Sequence, residues 1–237
     1  MKALLLGEGS SDLGENDPFA DPPFRKGPMS VAIDNLTAAK GVEDIEYRLM
    51  TRGEVSKGIK ATKRSISARP KGVDSERRNI YLSAWYLGTE ALSDQRDFAV
   101  YFHDPDQTNS GGANTAELIE RAMYAGFDKA SYNTGVPMIP QPRSEAWLLA
   151  YFQKNLQGQH EYNKAERFEN LPANDASPNS AKKLLMQAVG ASSESETYAK
   201  VTAEIGDIDW TKIDMPSFNR FRKRLEVVLD HVVAGRS

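Results

Sequence analysis

Residues 98–108 read FAVYFHDPDQT: a run fit for the middle of a buried strand, then Asp104 and Asp106 with a single proline between them. Two carboxylates held this close repel each other, so they need either open water around them or a cation between them. A lone DxD is most simply a solvated turn, and the choice depends on what the rest of the chain brings to the same place.

The flanking segments alternate between strand and helix patterns. KALLLG at 2–7 reads as a short buried strand, followed by a long Pro/Asp-rich loop to about residue 28. A helix is expected over 29–40, with Val31, Ile33, Leu36 and Ala39 on one face, and a strand over 44–51, where Ile45, Tyr47 and Leu49 alternate. Residues 76–93 place Ile80, Ala84, Leu87 and Ala91 at helical spacing. After FAVYFH, the segment TAELIERAMYAGF turns Leu118, Ile119, Ala122 and Met123 inward and carries Gly126 near its end. GVPMIP then reads as a further strand, leading into RSEAWLLAYFQKNL as an amphipathic helix in which Trp147, Leu148 and Tyr151 are core.

Strands alternating with helices over the first 150 or so residues argue for an α/β fold with a largely parallel central sheet flanked by helices. The remainder reads as helical: SAKKLLMQAVG, SESETYAKVTAEIG and SFNRFRKRLEVVLDHVVAG, separated by Pro, Gly and Asp. The expected organisation is a core over 1–157 and a helical C-terminal extension over 158–237, packed on the core or on a partner. In the last helix Phe218, Phe221, Leu225, Val228 and Leu229 form a packing stripe. Arg220, Arg222, Lys223 and Arg224 beside it read as a solvated face or as nucleic-acid contacts.

Composition narrows the chemistry. The 237 residues contain no cysteine and three histidines, so thiolate sites are excluded and any metal would be held by carboxylates, which favours Mg²⁺ or Mn²⁺. MKALLLGEG has too few apolar residues before its Gly-Glu-Gly for a signal peptide or a membrane span, so a cytoplasmic location is expected. Net charge is −3, yet between Arg52 and Arg78 nine Lys/Arg stand against three acids. That block, including Lys57, Lys60, Lys63, Arg64, Arg69 and Lys71, reads as an exposed loop able to touch phosphates, or as a solubilising loop.

In an open α/β sheet, ligands bind beyond the carboxyl ends of the strands. Glu8 follows LLLG directly, and Asp104 and Asp106 follow VYFH, so parallel strands would bring all three acids to one edge. Gly7 and Gly9 around Glu8 allow a sharp turn and close approach of a ligand. Three acids gathered there without a cation would raise at least one pKa strongly, so a divalent metal is the economical account. His103 would point to the opposite face from Asp104.

With a glutamate after the first strand in LLLGEGSSD and a DxD after a central strand in YFHDPD, the chain resembles the TOPRIM domain. This is the metal-dependent catalytic module of topoisomerases, primases and overcoming-lysogenization-defect nucleases. It is similar above all to short standalone bacterial TOPRIM-like proteins, through PMIPQPRSEAWLLA and PSFNRFRKRLE. The glycine usual soon after the DxD stands further on, at Gly111 and Gly112.

The resemblance implies a Rossmann-like core in which Asp104 and Asp106 bind one or two Mg²⁺ or Mn²⁺ ions. Glu8 would assist as ligand or general base, and Asp12 would be a further acid of the nuclease branch. Glu145 would be catalytic or close to the metal, the simpler account being a carboxylate at a helix N-terminus. Lys182 or Lys183 would stabilise phosphate charge, or be a surface pair. The activity implied is hydrolysis of DNA or RNA, and the setting implied is that of an effector of an anti-phage system beside an ATPase partner. GEGSSD is too short for a phosphate-binding Walker loop and lacks its lysine. A non-catalytic interaction or regulatory subunit is the alternative, and nucleotidyl transfer a third reading.

Overall fold

The computed structural model describes residues 1–7, 9–19, 21–62, 73–75, 77–105, 115–154, 162–172 and 174–235. Four strands, β1 (Lys2–Leu6), β4 (Glu46–Met50), β5 (Phe98–Phe102) and β6 (Gly135–Met138), form one sheet in the order β4-β1-β5-β6. Every pairing in it is parallel. Such a sheet is covered on both faces, so its strands are apolar throughout. In β5 the side chains of Phe98, Val100 and Phe102 enter one apolar cluster while Ala99 and Tyr101 enter the other. β1 alternates in the same way, with Ala3 and Leu5 on one side and Leu4 and Leu6 on the other.

Helix α2 (Pro28–Ala38), in the β1–β4 connection, packs Met29, Ile33 and Leu36 on the first face. The β4–β5 and β5–β6 connections place α4 (Arg78–Ser93) and α5 (Thr115–Lys129) on the second, through Ile80, Leu87, Ile119, Met123 and Phe127. The result is a doubly wound, Rossmann-like α/β fold, as the alternation of patterns predicts. Among the described residues no helix is long and apolar enough to cross a membrane.

Three sequence expectations are corrected. The segment between β1 and α2 holds a short helix, α1 (Ser10–Leu13), and a hairpin of β2 (Gly14–Asn16) with β3 (Phe24–Lys26). Gly14 makes this possible: its φ of +99° is a glycine conformation, and a Cβ there would lie 2.0 Å from the Arg25 carbonyl oxygen. Asn16 from the hairpin brackets Leu49, donating to its carbonyl at 2.7 Å and accepting from its amide at 3.0 Å, which caps the open edge of β4.

Secondly, the basic segment from Arg52 opens as helix α3 (Arg52–Thr62) rather than as loop. Thr51 and Glu54 form a capping box, the Glu54 amide donating to Thr51 Oγ1 at 3.1 Å and the Thr51 amide to Glu54 Oε2 at 2.7 Å. Val55 is buried, and Gly58 lies so close to the Tyr86 ring of α4 that a Cβ would come within 1.9 Å.

Thirdly, α6 (Ser144–Phe152) is buried along all nine of its residues rather than amphipathic. The cause is the C-terminal chain, which comprises α7 (Ala181–Ala188), α8 (Glu194–Glu204), α9 (Pro216–Ala234) and 3-10 turns. Trp147 of α6 stands edge-on to Phe218 of α9 at 4.9 Å, stacks on Phe221 at 6.0 Å and donates its indole N–H to Ser217 Oγ at 2.8 Å. Sheet, α2, α6 and α9 thus share one apolar cluster.

Candidate functional site

From the end of β1 the chain winds to β4 on one side, and from β4 it crosses to β5 on the other, so the strand order reverses between β1 and β5. Loops leaving neighbouring strands in opposite directions open a crevice at this switch point. Gly7 starts the loop after β1; a Cβ there would come within 2.5 Å of the Leu13 side chain, so glycine lets α1 fold back against the strand end. α1 then presents Asp12 to the crevice. β5 delivers Asp104, and the segment after β6 delivers the N-terminus of α6.

Ser144, the first residue of α6, joins these parts. Its hydroxyl donates to Asp12 Oδ1 at 2.7 Å and its amide donates to Asp104 Oδ1 at 3.2 Å. A free amide in the first helical turn is a natural partner for an anion. Asp12 Oδ2 also accepts from Ser11 Oγ at 3.4 Å. His103 follows the alternation of the strand: its ring lies 6.2 Å from Tyr101, on the face away from α6.

Glu145 comes next, 8% exposed, and its Oε2 is buried without a hydrogen-bond partner among the described residues. Burial pushes its pKa above the ordinary glutamate value; its own backbone amide opposes this, the Asp12 charge adds to it, and Arg143 and Lys182 oppose it. Tyr198 of α8 hydrogen-bonds Ser11, and its phenol is pushed up to about 12, first by burial and further by the charges of Glu145, Asp12 and Asp104. One strand-end loop, one helix start and the C-terminal helices therefore share a single negative field.

Positive charge borders this field. Lys182 of α7 pairs with Glu194 at 2.8 Å and lies 3.9 Å from Asp175, which Arg143 meets at 2.7 Å. Lys182 and Lys183 both line a cleft between α6, α7 and α8, which Glu145 and Tyr198 also line. A second cleft, bordered by Gly7, Gly9, Thr51 and Arg52, opens beside the β1 and β4 ends. α3 begins there at Arg52 and carries Lys57 and Lys60, both exposed.

The structure thus brings Asp12, Asp104, Glu145 and Lys182 to one neighbourhood. Glu8, Asp106, Lys63, Arg64, Arg69, Lys71, Gly111 and Gly112 lie outside the described residues. Among the described residues no group of three or more histidines, aspartates or glutamates is arranged to hold a metal ion. Asp12 and Asp104 are hard oxygen donors with no thiol in the chain, a donor chemistry that fits Mg²⁺ or Mn²⁺. In the cationic stripe of α9, Arg222 donates to the Ile213 carbonyl, whereas Arg220 and Arg224, which approach Glu120 at 3.9 and 3.7 Å, and Lys223 are exposed.

Sequence reasoning missed Tyr198, Arg143 and Asp175. Their signal is weak, because each reaches the crevice from a segment whose local pattern speaks only of helix or loop. Compared with family models, with curated proteins and with solved structures, the chain matches none.

Proposed function

We propose that the protein is a metal-dependent phosphodiesterase of the TOPRIM type, hydrolysing nucleic acid at the β1/β5 crevice. The observation that carries this reading is the bridge from Ser144 to both Asp12 and Asp104, which holds two carboxylates at a switch point with Glu145 alongside. Holding like charges together is costly unless a cation or substrate offsets them.

Asp12 and Asp104 are the described residues that would hold Mg²⁺ or Mn²⁺, with Glu8 and Asp106 following the same two strands in sequence. A cation bound there supplies neutralising charge and Lewis acidity toward a phosphodiester. The chain's own residues do the positioning. The Ser144 hydroxyl and amide fix the two aspartates, the half-buried Tyr198 ring closes one side, and Lys182 offers positive charge to a phosphate beside them. Arg52 at the second cleft, with the exposed Lys57 and Lys60 further along α3, suits the flanking phosphates.

One observation favours a second reading, a non-catalytic interaction module. A carboxylate accepting from the first amide of a helix is also how a purely structural cap looks, and Asp104 does so. The deciding experiment incubates wild type and Asp104→Ala with plasmid, single-stranded DNA and tRNA in Mg²⁺ or Mn²⁺, and records melting with and without Mn²⁺. Phosphodiesterase action predicts cleavage and Mn²⁺ stabilisation that both vanish in the variant. Wild type that neither cleaves nor is stabilised would leave the interaction module standing.

A further inference from the structure

We propose that the cleft between α6, α7 and α8 is a nucleobase pocket, so that the strand meeting this site is single-stranded there. The cleft encloses about 540 Å³ including its open mouth, of which about 70 Å³ admits the centre of a water molecule. That inner space holds roughly five waters, comparable with one base. Leu148, Met186, Val201 and the Tyr198 ring line it beside Glu145, and Asp175, Glu194, Thr197 and the two lysines supply the rest of its polar lining.

Two features point to the occupant. The Glu145 Oε2 is buried without a partner among the described residues, and an orphaned carboxylate oxygen calls for a ligand that carries an N–H or O–H donor. Most of the surface around it is apolar, which suits a flat face rather than a sugar. A lipid chain would suit the walls but leave the oxygen unsatisfied. A cation would suit the oxygen, but the other carboxylates of the cleft, Asp175 and Glu194, are already paired with Arg143 and Lys182. A nucleobase meets both demands, with apolar faces for Tyr198 and Met186 and edge N–H groups for Glu145.

The surroundings agree with an attached phosphate. Lys182 and Lys183 line the same cleft, and Tyr198, in its wall, hydrogen-bonds Ser11 next to Asp12. A base seated here would leave its backbone beside the aspartates. A paired base cannot enter, because its edge is occupied and its faces are stacked. The inference rests on the phosphodiesterase reading only in taking the ligand to be part of a substrate strand.

The test measures binding rather than cleavage. Anisotropy with the full chain in Ca²⁺ compares a short labelled DNA strand with the same backbone lacking bases. Wild type is expected to prefer the base-bearing strand by roughly tenfold. Met186→Trp, which fills the cleft from a partly exposed position, is expected to bring the ratio to about twofold or less by excluding the stacked base. Tyr198→Ala is the second variant, and thermal melting identifies which variants are folded.

A ratio that is absent in wild type, or that survives in a folded variant, overturns the pocket. Plasmid cleavage in Mn²⁺, run in parallel, separates the two ideas. Cleavage without base preference removes the pocket and spares the phosphodiesterase, whereas neither binding nor cleavage removes both.

Discussion

Ser144 Oγ donates to Asp12 Oδ1 at 2.7 Å, linking the start of α6 to the loop after β1 across 132 positions of sequence. Ser144 is 3% exposed, so water is poorly placed to replace it. Removing a buried hydrogen bond to a charged group costs about 1.5–3 kcal/mol. In a chain of this size each kcal/mol moves the melting temperature by about 2–4 °C. Ser144→Ala is therefore expected to melt roughly 3–12 °C below wild type, with the deficit reduced in Mn²⁺ because a bound cation takes over the offsetting of Asp12. Calorimetry in EDTA and in Mn²⁺ measures both; an unchanged melting point in EDTA refutes the bridge.

Glu145 gives a pH dependence whose sign follows from its environment. Its folded pKa is raised, chiefly by burial, so between the unfolded and folded values the native state binds more protons than the unfolded chain. Its contribution to stability is complete below the unfolded value and is lost as pH rises through the folded one. Glu145→Gln removes the charge and keeps the shape. The variant should melt above wild type at pH 8 and converge with it near pH 4. Parallel melting curves across that range are the result that sinks this account.

The fold was legible where one physical signal dominated. β1 and β5 are apolar runs because both their faces are buried, and the helices between strands carry a one-sided stripe, so order and type could be read directly. The common edge of Asp104 and the β1 loop followed from parallel strands alone. Long-range cover was not legible. RSEAWLLAYF reads as amphipathic until α9 lays Phe218 and Phe221 on Trp147. The helix α3 was hidden by its lysines, since its start depends on the Thr51–Glu54 box and its seat on Tyr86. Tyr198 joins the site only through the packing of α8, which leaves no periodic trace in sequence.

Lys57 and Lys60 are exposed on α3, whose first residue, Arg52, borders the cleft beside the β1 and β4 ends. Alanine is at least as good a helix former as lysine, so replacing both should leave the fold intact. If each contacts one phosphate of a single strand, the slope of log affinity against log salt should flatten by about 0.7 per residue. Lys57→Ala/Lys60→Ala is thus expected to bind more weakly at low salt and nearly as wild type at high salt. Titrations at several salt concentrations check it, and an unaltered slope excludes these lysines from the interface.

Phe218 decides whether the C-terminal helices stand or fall with the sheet. It is 0% exposed, packs edge-on to Trp147 and stacks on Trp210 at 6.0 Å, so its loss opens a cavity in the cluster that also holds β5 and α2. Phe→Ala at such a site costs about 3–5 kcal/mol, a large part of the roughly 5–15 kcal/mol that holds a domain folded. One shared cluster predicts a single unfolding transition in Phe218→Ala, about 6–20 °C lower. An independently folded extension predicts two transitions, with only the smaller one displaced. Because Trp147 lies two residues beyond Glu145 on α6, the same variant should also weaken binding at the crevice. Val227→Ala is the control: at 59% exposure on α9 it touches the helix but not the cluster, and should shift melting by no more than about 2 °C.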